Sequence, residues 1–216
     1  MKQTSVRITE IFYSLQGESV TVGLPTVFVR LTGCPLRCHY CDTEYAFYGG
    51  DRRSIEQILE EVSVFGALRV CVTGGEPLAQ KSCLPLLTAF CDKGYQVSLE
   101  TSGAVSLAEV DPRVTNVMDL KTPASGEVSR NLYENIGYLK PSDQIKFVIC
   151  DRQDYEWARM KLDELDLPSS VTDILFSPSF GQQDATELAE WVLEDRLPVR
   201  FQLQLHKLLW KDAPGH

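Results

Sequence analysis

The stretch Val27-Phe28-Val29-Arg30-Leu31-Thr32-Gly33-Cys34-Pro35-Leu36-Arg37-Cys38-His39-Tyr40-Cys41-Asp42-Thr43 decides how the chain is read. Its apolar, β-branched opening predicts a strand over Thr26 to Leu31, and the segment from Gly33 to Thr43 predicts a loop at that strand's end. Cys34, Cys38 and Cys41 crowd into that loop. Three closely spaced thiolates can each bind one iron of a four-iron cluster and leave the last iron open to a cosubstrate. The competing arrangement is a structural zinc site with the same cysteines and either His39 or a distant residue as fourth ligand. His39 is poorly placed for it, because a ring between two ligands of a short loop would have to fold back onto the same metal.

Outward from this loop, short β-branched runs alternate with helical patterns, as in βα units around a parallel sheet. Further strands are predicted over Leu68 to Thr73, Gln96 to Glu100, Val114 to Leu120, Gln144 to Ile149, Asp173 to Phe176 and Val199 to Leu203. Helices are predicted from Ser54, where Ser54 and Gln57 form a capping box, and near Leu84 to Lys93, Ser129 to Gly137, Asp154 to Leu165 and Asp184 to Glu194. The alternation permits a doubly wound sheet or a barrel, complete or partial. Thr73-Gly74-Gly75-Glu76, Glu100-Thr101-Ser102-Gly103 and Asp119-Leu120-Lys121 all fall at strand ends, which favours a barrel with its chemistry on one shared rim.

The chain has 216 residues, 44% of them hydrophobic, enough for one substantial core, so residues 1–216 are read as a single domain. Thirty acidic residues against 21 basic ones give a formal charge of -9, which disfavours nonspecific attraction to nucleic acid or an anionic membrane. Met1 to Ile11 lack the apolar run of a signal sequence and no later stretch is long enough to cross a bilayer, so a soluble cytoplasmic protein is expected. Seven cysteines, an odd number, argue against a disulfide framework in that compartment. Cys71, Cys83, Cys91 and Cys150 lie among apolar neighbours and read as small core hydrophobes.

The cysteine loop resembles the CxxxCxxC motif of the radical S-adenosylmethionine superfamily, with Tyr40 at the aromatic position near the adenine. Thr73-Gly74-Gly75-Glu76-Pro77 resembles the glycine-rich motif that lies against the methionine end of the cosubstrate. Phe12-Tyr13-Ser14-Leu15-Gln16-Gly17-Glu18, Gly23-Leu24-Pro25, Phe28-Val29-Arg30-Leu31, Cys41-Asp42-Thr43 and Glu100-Thr101-Ser102-Gly103 then resemble 7-carboxy-7-deazaguanine synthases, up to His206-Lys207. That resemblance implies an α/β fold, a partial (β/α) barrel of about six parallel strands with flanking helices. It implies a radical ring contraction of 6-carboxy-5,6,7,8-tetrahydropterin to 7-carboxy-7-deazaguanine with loss of ammonia, in queuosine and 7-deazapurine biosynthesis. The reduced cluster would cleave S-adenosylmethionine to a 5'-deoxyadenosyl radical that takes a hydrogen atom from C6 of the pterin.

By residue, the resemblance places the 4Fe-4S cluster on Cys34, Cys38 and Cys41 and magnesium on Thr43. S-adenosylmethionine falls on Tyr40, Cys41, Asp42, Gly75, Asp119, Leu120 and Lys121. The substrate falls on Leu15, Gln16 and Gly17 through the backbone and on Arg30, Thr73 and the chain end at His216. Arg30 also makes physical sense as a planar donor to the substrate carboxylate. An electron donor such as flavodoxin or ferredoxin and a homodimer are further implications. Asp119 and Leu120 depart from the family's Ser-Pro-Lys, Ser177 stands where others carry glutamine before proline, and the segment Lys207 to His216 is longer than in short members.

Read without the resemblance, Asp42-Thr43 is a loop terminus bonding its own backbone, and GGEP a tight turn. Trp157, Trp191 and Trp210 read as packing anchors, and Glu56, Glu60, Glu61, Asp163, Glu164 and Asp166 as solvated helix faces. Lys146 faces either the barrel interior or solvent. Two rivals stay open: an activase that makes a glycyl radical on a partner protein, motivated by Asp119-Leu120-Lys121, and a non-catalytic zinc-binding module.

Overall fold

The structure, a computed structural model, describes residues 5–211, 213 and 215. In chain order the elements are β1 (Ser5–Leu15), β2 (Pro25–Leu31), β3 (Asp51–Ser54), α1 (Ile55–Ser63), β4 (Arg69–Gly74), α2 (Cys83–Asp92), β5 (Gln96–Thr101) and β6 (Thr115–Asp119). There follow β7 (Gln144–Ile149), α3 (Arg152–Glu164), the single turn α4 (Leu167–Ser170), β8 (Asp173–Pro178), α5 (Ala185–Glu194), β9 (Arg200–Phe201) and α6 (Leu205–Trp210). The strands form one sheet in the order β3-β1-β2-β4-β5-β6-β7-β8-β9. From β2 and β4 through β9 the pairing is parallel, while β1 is antiparallel to β2 and β3 to β1. The order is linear with β3 and β9 at its edges, so the barrel is partial, as the resemblance implied.

The parallel strands bury one face under the helices. In β7 the alternate residues Ile145, Phe147 and Ile149 are fully buried in the core with Ala158 and Leu162 of α3, which turns Lys146 to the opposite, concave face. Trp157 and Trp191 pack partly buried against the same core, as expected of anchors. Cys71 and Cys83 are fully buried and Cys91 nearly so, matching the core reading, whereas Cys150 is only half-buried at the end of β7.

β1 and β3 were not predicted. In β1 a bulge between Ile8 and Glu10 shifts the pairing with β2 by one residue. Val6 and Ile8 therefore face the core, while beyond the bulge Glu10 and Phe12 stand opposite Arg30 and Phe28 on the cavity side. This change of parity erases the period-two alternation by which a strand is recognised.

The capping box at α1 is present in full: Gln57 donates its backbone N–H to Ser54 Oγ at 3.2 Å, and Ser54 donates its own to Gln57 Oε1 at 2.8 Å. Ser54→Ala is expected to lower the unfolding free energy by about 1 kcal/mol in a denaturant titration, with turnover unchanged.

The helix predicted over Ser129 to Gly137 does not form. Two 3-10 segments, Val128–Arg130 and Tyr133–Tyr138, take its place. The reason lies in two asparagines. Asn131 exchanges bonds with the backbone of Lys121 at 2.9 Å, and buried Asn135 donates to the carbonyls of Gly103 and Val105 while accepting from Leu107 N–H. Side chains committed to distant backbone compete with helix formation. Among the described residues, no helix is long and apolar enough to cross a membrane.

Candidate active site

The concave face of the sheet encloses a cavity of about 510 Å³. The cysteine loop covers it from the carboxyl ends of the parallel strands. Leu15 pairs with Pro25 at the amino-terminal end of β2, so Gln16, Gly17 and Glu18 enter from the opposite end. The single rim expected from the strand-end motifs is thus half of the site. The C-terminal segment forms another wall: Leu205 donates its N–H to Gly17 O at 2.9 Å, and Gln204, His206 and Lys207 line the cavity. Gly17 lets the C-terminal segment pack this closely, because a Cβ there would lie 2.1 Å from His206 Nδ1 and the ring would have to shift.

Cys34, Cys38 and Cys41 are free, half-buried thiols in the wall. Burial pushes all three up, Cys38 to about 11, so cluster binding must displace their protons. Among the described residues, no three His, Cys, Asp or Glu side chains converge as ligands of one metal ion. A four-iron cluster takes one thiolate per iron, and three cysteines on one loop of the cavity wall can supply them. His39 turns away, its Nδ1 lying 3.2 Å from Ala124 O.

The glycine motif reaches this loop through its backbone. Gly75 N–H bonds Leu31 O at 3.2 Å and Glu76 N–H bonds Gly33 O at 2.8 Å. A Cβ on Gly75 would come within 2.7 Å of Cys34 Cβ, and one on Gly74 within 2.2 Å of Leu31 O. Only glycine permits this approach, which leaves an open backbone cradle beside the cysteines. Glu76 itself is fully buried, accepting from Leu78 N–H, Thr101 Oγ1 and both Ser102 donors, and so locks the β4 and β5 loops together.

A chain of charges crosses the floor. Lys121 Nζ lies 2.9 Å and Lys146 Nζ 3.9 Å from Asp119 Oδ2, and Lys146 pairs with Glu18 at 2.5 Å. Gln204 Nε2 donates to the other Glu18 oxygen at 2.7 Å. Burial alone would raise the Glu18 carboxyl, but the Lys146 ammonium, together with the hydrogen bond from Gln204 and the neighbouring His206, more than reverses this and holds it at about 2. Burial opposes the charge on Lys146 as well, and Glu18 and Asp119 raise it above its ordinary value. Among the described residues, Asp119 Oδ1 and Tyr40 Oη are buried polar atoms without a partner. In a cavity wall such atoms await a ligand. Together with the glycine cradle, they fit a polar cosubstrate.

On the β2 side, Arg30 and Thr73 line the cavity; Thr73 Oγ1 donates to Glu100 Oε2 at 3.1 Å, and Gln16 Nε2 to Glu100 Oε1 at 3.3 Å. Thr43 Oγ1 donates to Asp42 Oδ1 at 2.8 Å, and Lys207 Nζ stands 3.6 Å from Asp42 Oδ2. The hydroxyl oxygen of Thr43 keeps its lone pairs, enough for one weak ligand to magnesium and no complete site.

The structure thus brings together Leu15, Gln16, Gly17, Arg30, Cys34, Cys38, Tyr40, Cys41, Asp42, Thr43, Thr73, Gly75, Asp119 and Lys121. It does not bring Leu120, whose side chain is fully buried in the core. His216 lies outside the described residues. Ser177 is buried within β8, and Ser179, Phe180 and Gln182 reach the cavity instead. Sequence reasoning gave no role to Glu18, Glu100, Lys146, Gln204 or His206. For Lys146 the signal was present, since Ile145, Phe147 and Ile149 mark the face it avoids.

Residues 28–114 match the family model of the radical SAM superfamily. The chain is 46% identical to the 7-carboxy-7-deazaguanine synthase of Koribacter versatilis, over 95% of this chain and 97% of that protein. It is 44% identical to the enzyme of the same name from Chlorobaculum tepidum, over 99% and 98%. The crystal structure of QueE from Escherichia coli superposes with a TM-score of 0.74 at 25% identity, over 94% of this chain and 95% of that one.

Proposed function

Because the chain belongs to the 7-carboxy-7-deazaguanine synthase family of radical S-adenosylmethionine enzymes, we propose that its cavity holds cluster, cosubstrate and pterin together, between the cysteine loop and the Gln16-Gly17-Glu18 turn. The protein is a radical lyase that contracts 6-carboxy-5,6,7,8-tetrahydropterin to 7-carboxy-7-deazaguanine with release of ammonia, in queuosine biosynthesis. The observation that carries the reading of the site is the meeting of the cysteine triad, the Gly74-Gly75 cradle and Arg30 around one cavity.

The 4Fe-4S cluster on Cys34, Cys38 and Cys41, with bound S-adenosylmethionine, supplies the radical chemistry. The chain's own residues bind and orient. Tyr40, Asp42, Gly75, Asp119 and Lys121 face the cosubstrate, the glycine through its backbone; Leu120 contributes backbone alone. Lys121 and Asp119, paired at 2.9 Å, present one cation and one open acceptor. Arg30 takes the substrate carboxylate through its planar fork, and Gln16, Gly17 and Thr73 hold the ring. Thr43 would hold magnesium through its hydroxyl, with further oxygens from substrate and water. A single catalytic domain, a cytoplasmic homodimer and reduction by flavodoxin or ferredoxin complete the proposal.

The test is an anaerobic assay of reconstituted protein with reductant, S-adenosylmethionine, magnesium and the carboxylated tetrahydropterin, followed by mass spectrometry. 7-Carboxy-7-deazaguanine is expected only when S-adenosylmethionine is present. Accumulation of 5'-deoxyadenosine with the pterin untouched would move the substrate toward the activase alternative. Zinc without iron or sulfide in the anaerobically purified protein would return the zinc module.

A further inference from the structure

A guanidinium that is to meet a carboxylate through two parallel bonds must be held in one plane and at one angle, and Arg30 is so held. Its Nε donates to Glu10 Oε1 at 2.7 Å, and Tyr45 Oη donates to that same oxygen at 2.8 Å. The rings of Phe12 and Tyr45 lie 5.7 and 5.8 Å from its central carbon. With Nε committed, the terminal Nη pair is the edge left to offer an anion.

Each part of this collar is put there by the fold. The β1 bulge sets Glu10 directly opposite Arg30 while Ile8 remains in the core. Tyr45 sits in the 3-10 turn Glu44–Ala46, which is bonded to the cysteine loop at both ends, Ala46 N–H to Thr43 O at 3.0 Å and Gly33 N–H to Ala46 O at 2.8 Å. Simple neutralisation of a buried arginine would need Glu10 alone. A phenol donating to the oxygen that already accepts from Arg30 adds no charge, but it fixes where that oxygen stands.

We infer that Glu10 and Tyr45 are positioning residues that aim the Nη edge of Arg30 at the substrate carboxylate. The inference rests on Arg30 being the carboxylate donor. Glu10 acts through its place as a hydrogen-bond acceptor, and the turn carrying Tyr45 makes the anion site and the cysteine loop one mechanical unit.

The experiment measures KM for 6-carboxy-5,6,7,8-tetrahydropterin and kcat on the cluster-loaded enzyme at saturating S-adenosylmethionine. Anaerobic calorimetry with 7-carboxy-7-deazaguanine and with 7-deazaguanine, which lacks the carboxylate, reads binding independently of turnover. Relative to the wild type, Arg30→Ala is expected to raise KM by about 100-fold, Glu10→Ala by about 10-fold or more and Tyr45→Phe by about 3-fold, with kcat within about 2-fold in the Glu10 and Tyr45 variants. Glu10→Gln keeps an acceptor oxygen and is expected to restore KM to within about 3-fold of the wild type. Affinity for 7-carboxy-7-deazaguanine should follow KM, while 7-deazaguanine binds all variants alike. If Arg30→Ala raises KM and Glu10→Ala does not, or if Glu10→Gln is as impaired as Glu10→Ala, the positioning inference is overturned and the role of Arg30 stands. An unchanged KM in Arg30→Ala would instead overturn that role. Should Glu10→Ala not fold, Tyr45→Phe decides: a KM equal to the wild type's while Arg30→Ala raises it overturns the positioning inference.

Discussion

Cys34→Ala, Cys38→Ala and Cys41→Ala are each expected to abolish iron and sulfide incorporation and turnover, whereas Cys83→Ala should keep both and lose only about 1 kcal/mol of stability. The contrast follows from placement. The triad lies half-buried in the cavity wall on a loop whose start at Gly33 is held from outside by backbone bonds to Ala46 and Glu76. Each thiolate serves one iron, so the loss of any one leaves a second iron without a protein ligand. Cys83 is fully buried at the start of α2 and packs as a hydrophobe. Iron and sulfide analysis, the visible absorption of the cluster and product formation measure the outcome. Equal loss in all four variants would contradict the assignment of the ligands.

Lys146→Met carries the largest expected effect on stability. The substitution preserves volume but leaves Glu18 without its cation at a site where the two side chains are only 13% and 12% exposed. Breaking a buried pair by removing one partner costs about 3 to 5 kcal/mol, and a loss of that order is expected at neutral pH. In the wild type the Glu18 carboxyl sits at about 2 instead of its ordinary 4.5. A depressed carboxylate contributes stability that is fully present above its ordinary value and is lost as pH falls from there toward 2. Without Lys146, burial is opposed chiefly by the Gln204 hydrogen bond and raises the carboxyl from its wild-type value, so the variant's penalty is greatest at neutral pH and fades as acid protonates Glu18. Denaturant titrations at pH 7 and pH 4.5 should show the gap between variant and wild type narrowing. Adding Glu18→Gln should recover most of the loss at pH 7. A deficit independent of pH would mean that the pair contributes packing and not charge.

How much of this was legible in the sequence differs between neighbouring residues. The cysteine loop, the glycine motif and the capping box were legible because each is a short-range pattern whose physics is complete within a few residues. Gly74 and Gly75 are needed because the backbones of β2 and β4 nearly touch there, and a strand followed by two glycines announces such an approach. The parallel strands were legible for a related reason: β-branched runs that alternate with helical patterns mark βα units locally. The Ser129 to Gly137 segment misled because the partners of Asn131 and Asn135 come from the backbones of residues 10 to 32 positions away.

By itself, the sequence determined the ligand loop, the order of the βα units and the strand ends that carry Arg30, Thr73 and Asp119, since spacing and local propensity suffice for these. Only the tertiary structure decided that β1 belongs to the sheet, that its bulge turns Glu10 toward Arg30, and that Glu18 and Gln204 meet Lys146 from opposite parts of the chain. Charge pairing of that kind depends on distance in space. The bulge hides β1 from any periodic reading, because a single extra residue exchanges the two faces of the strand.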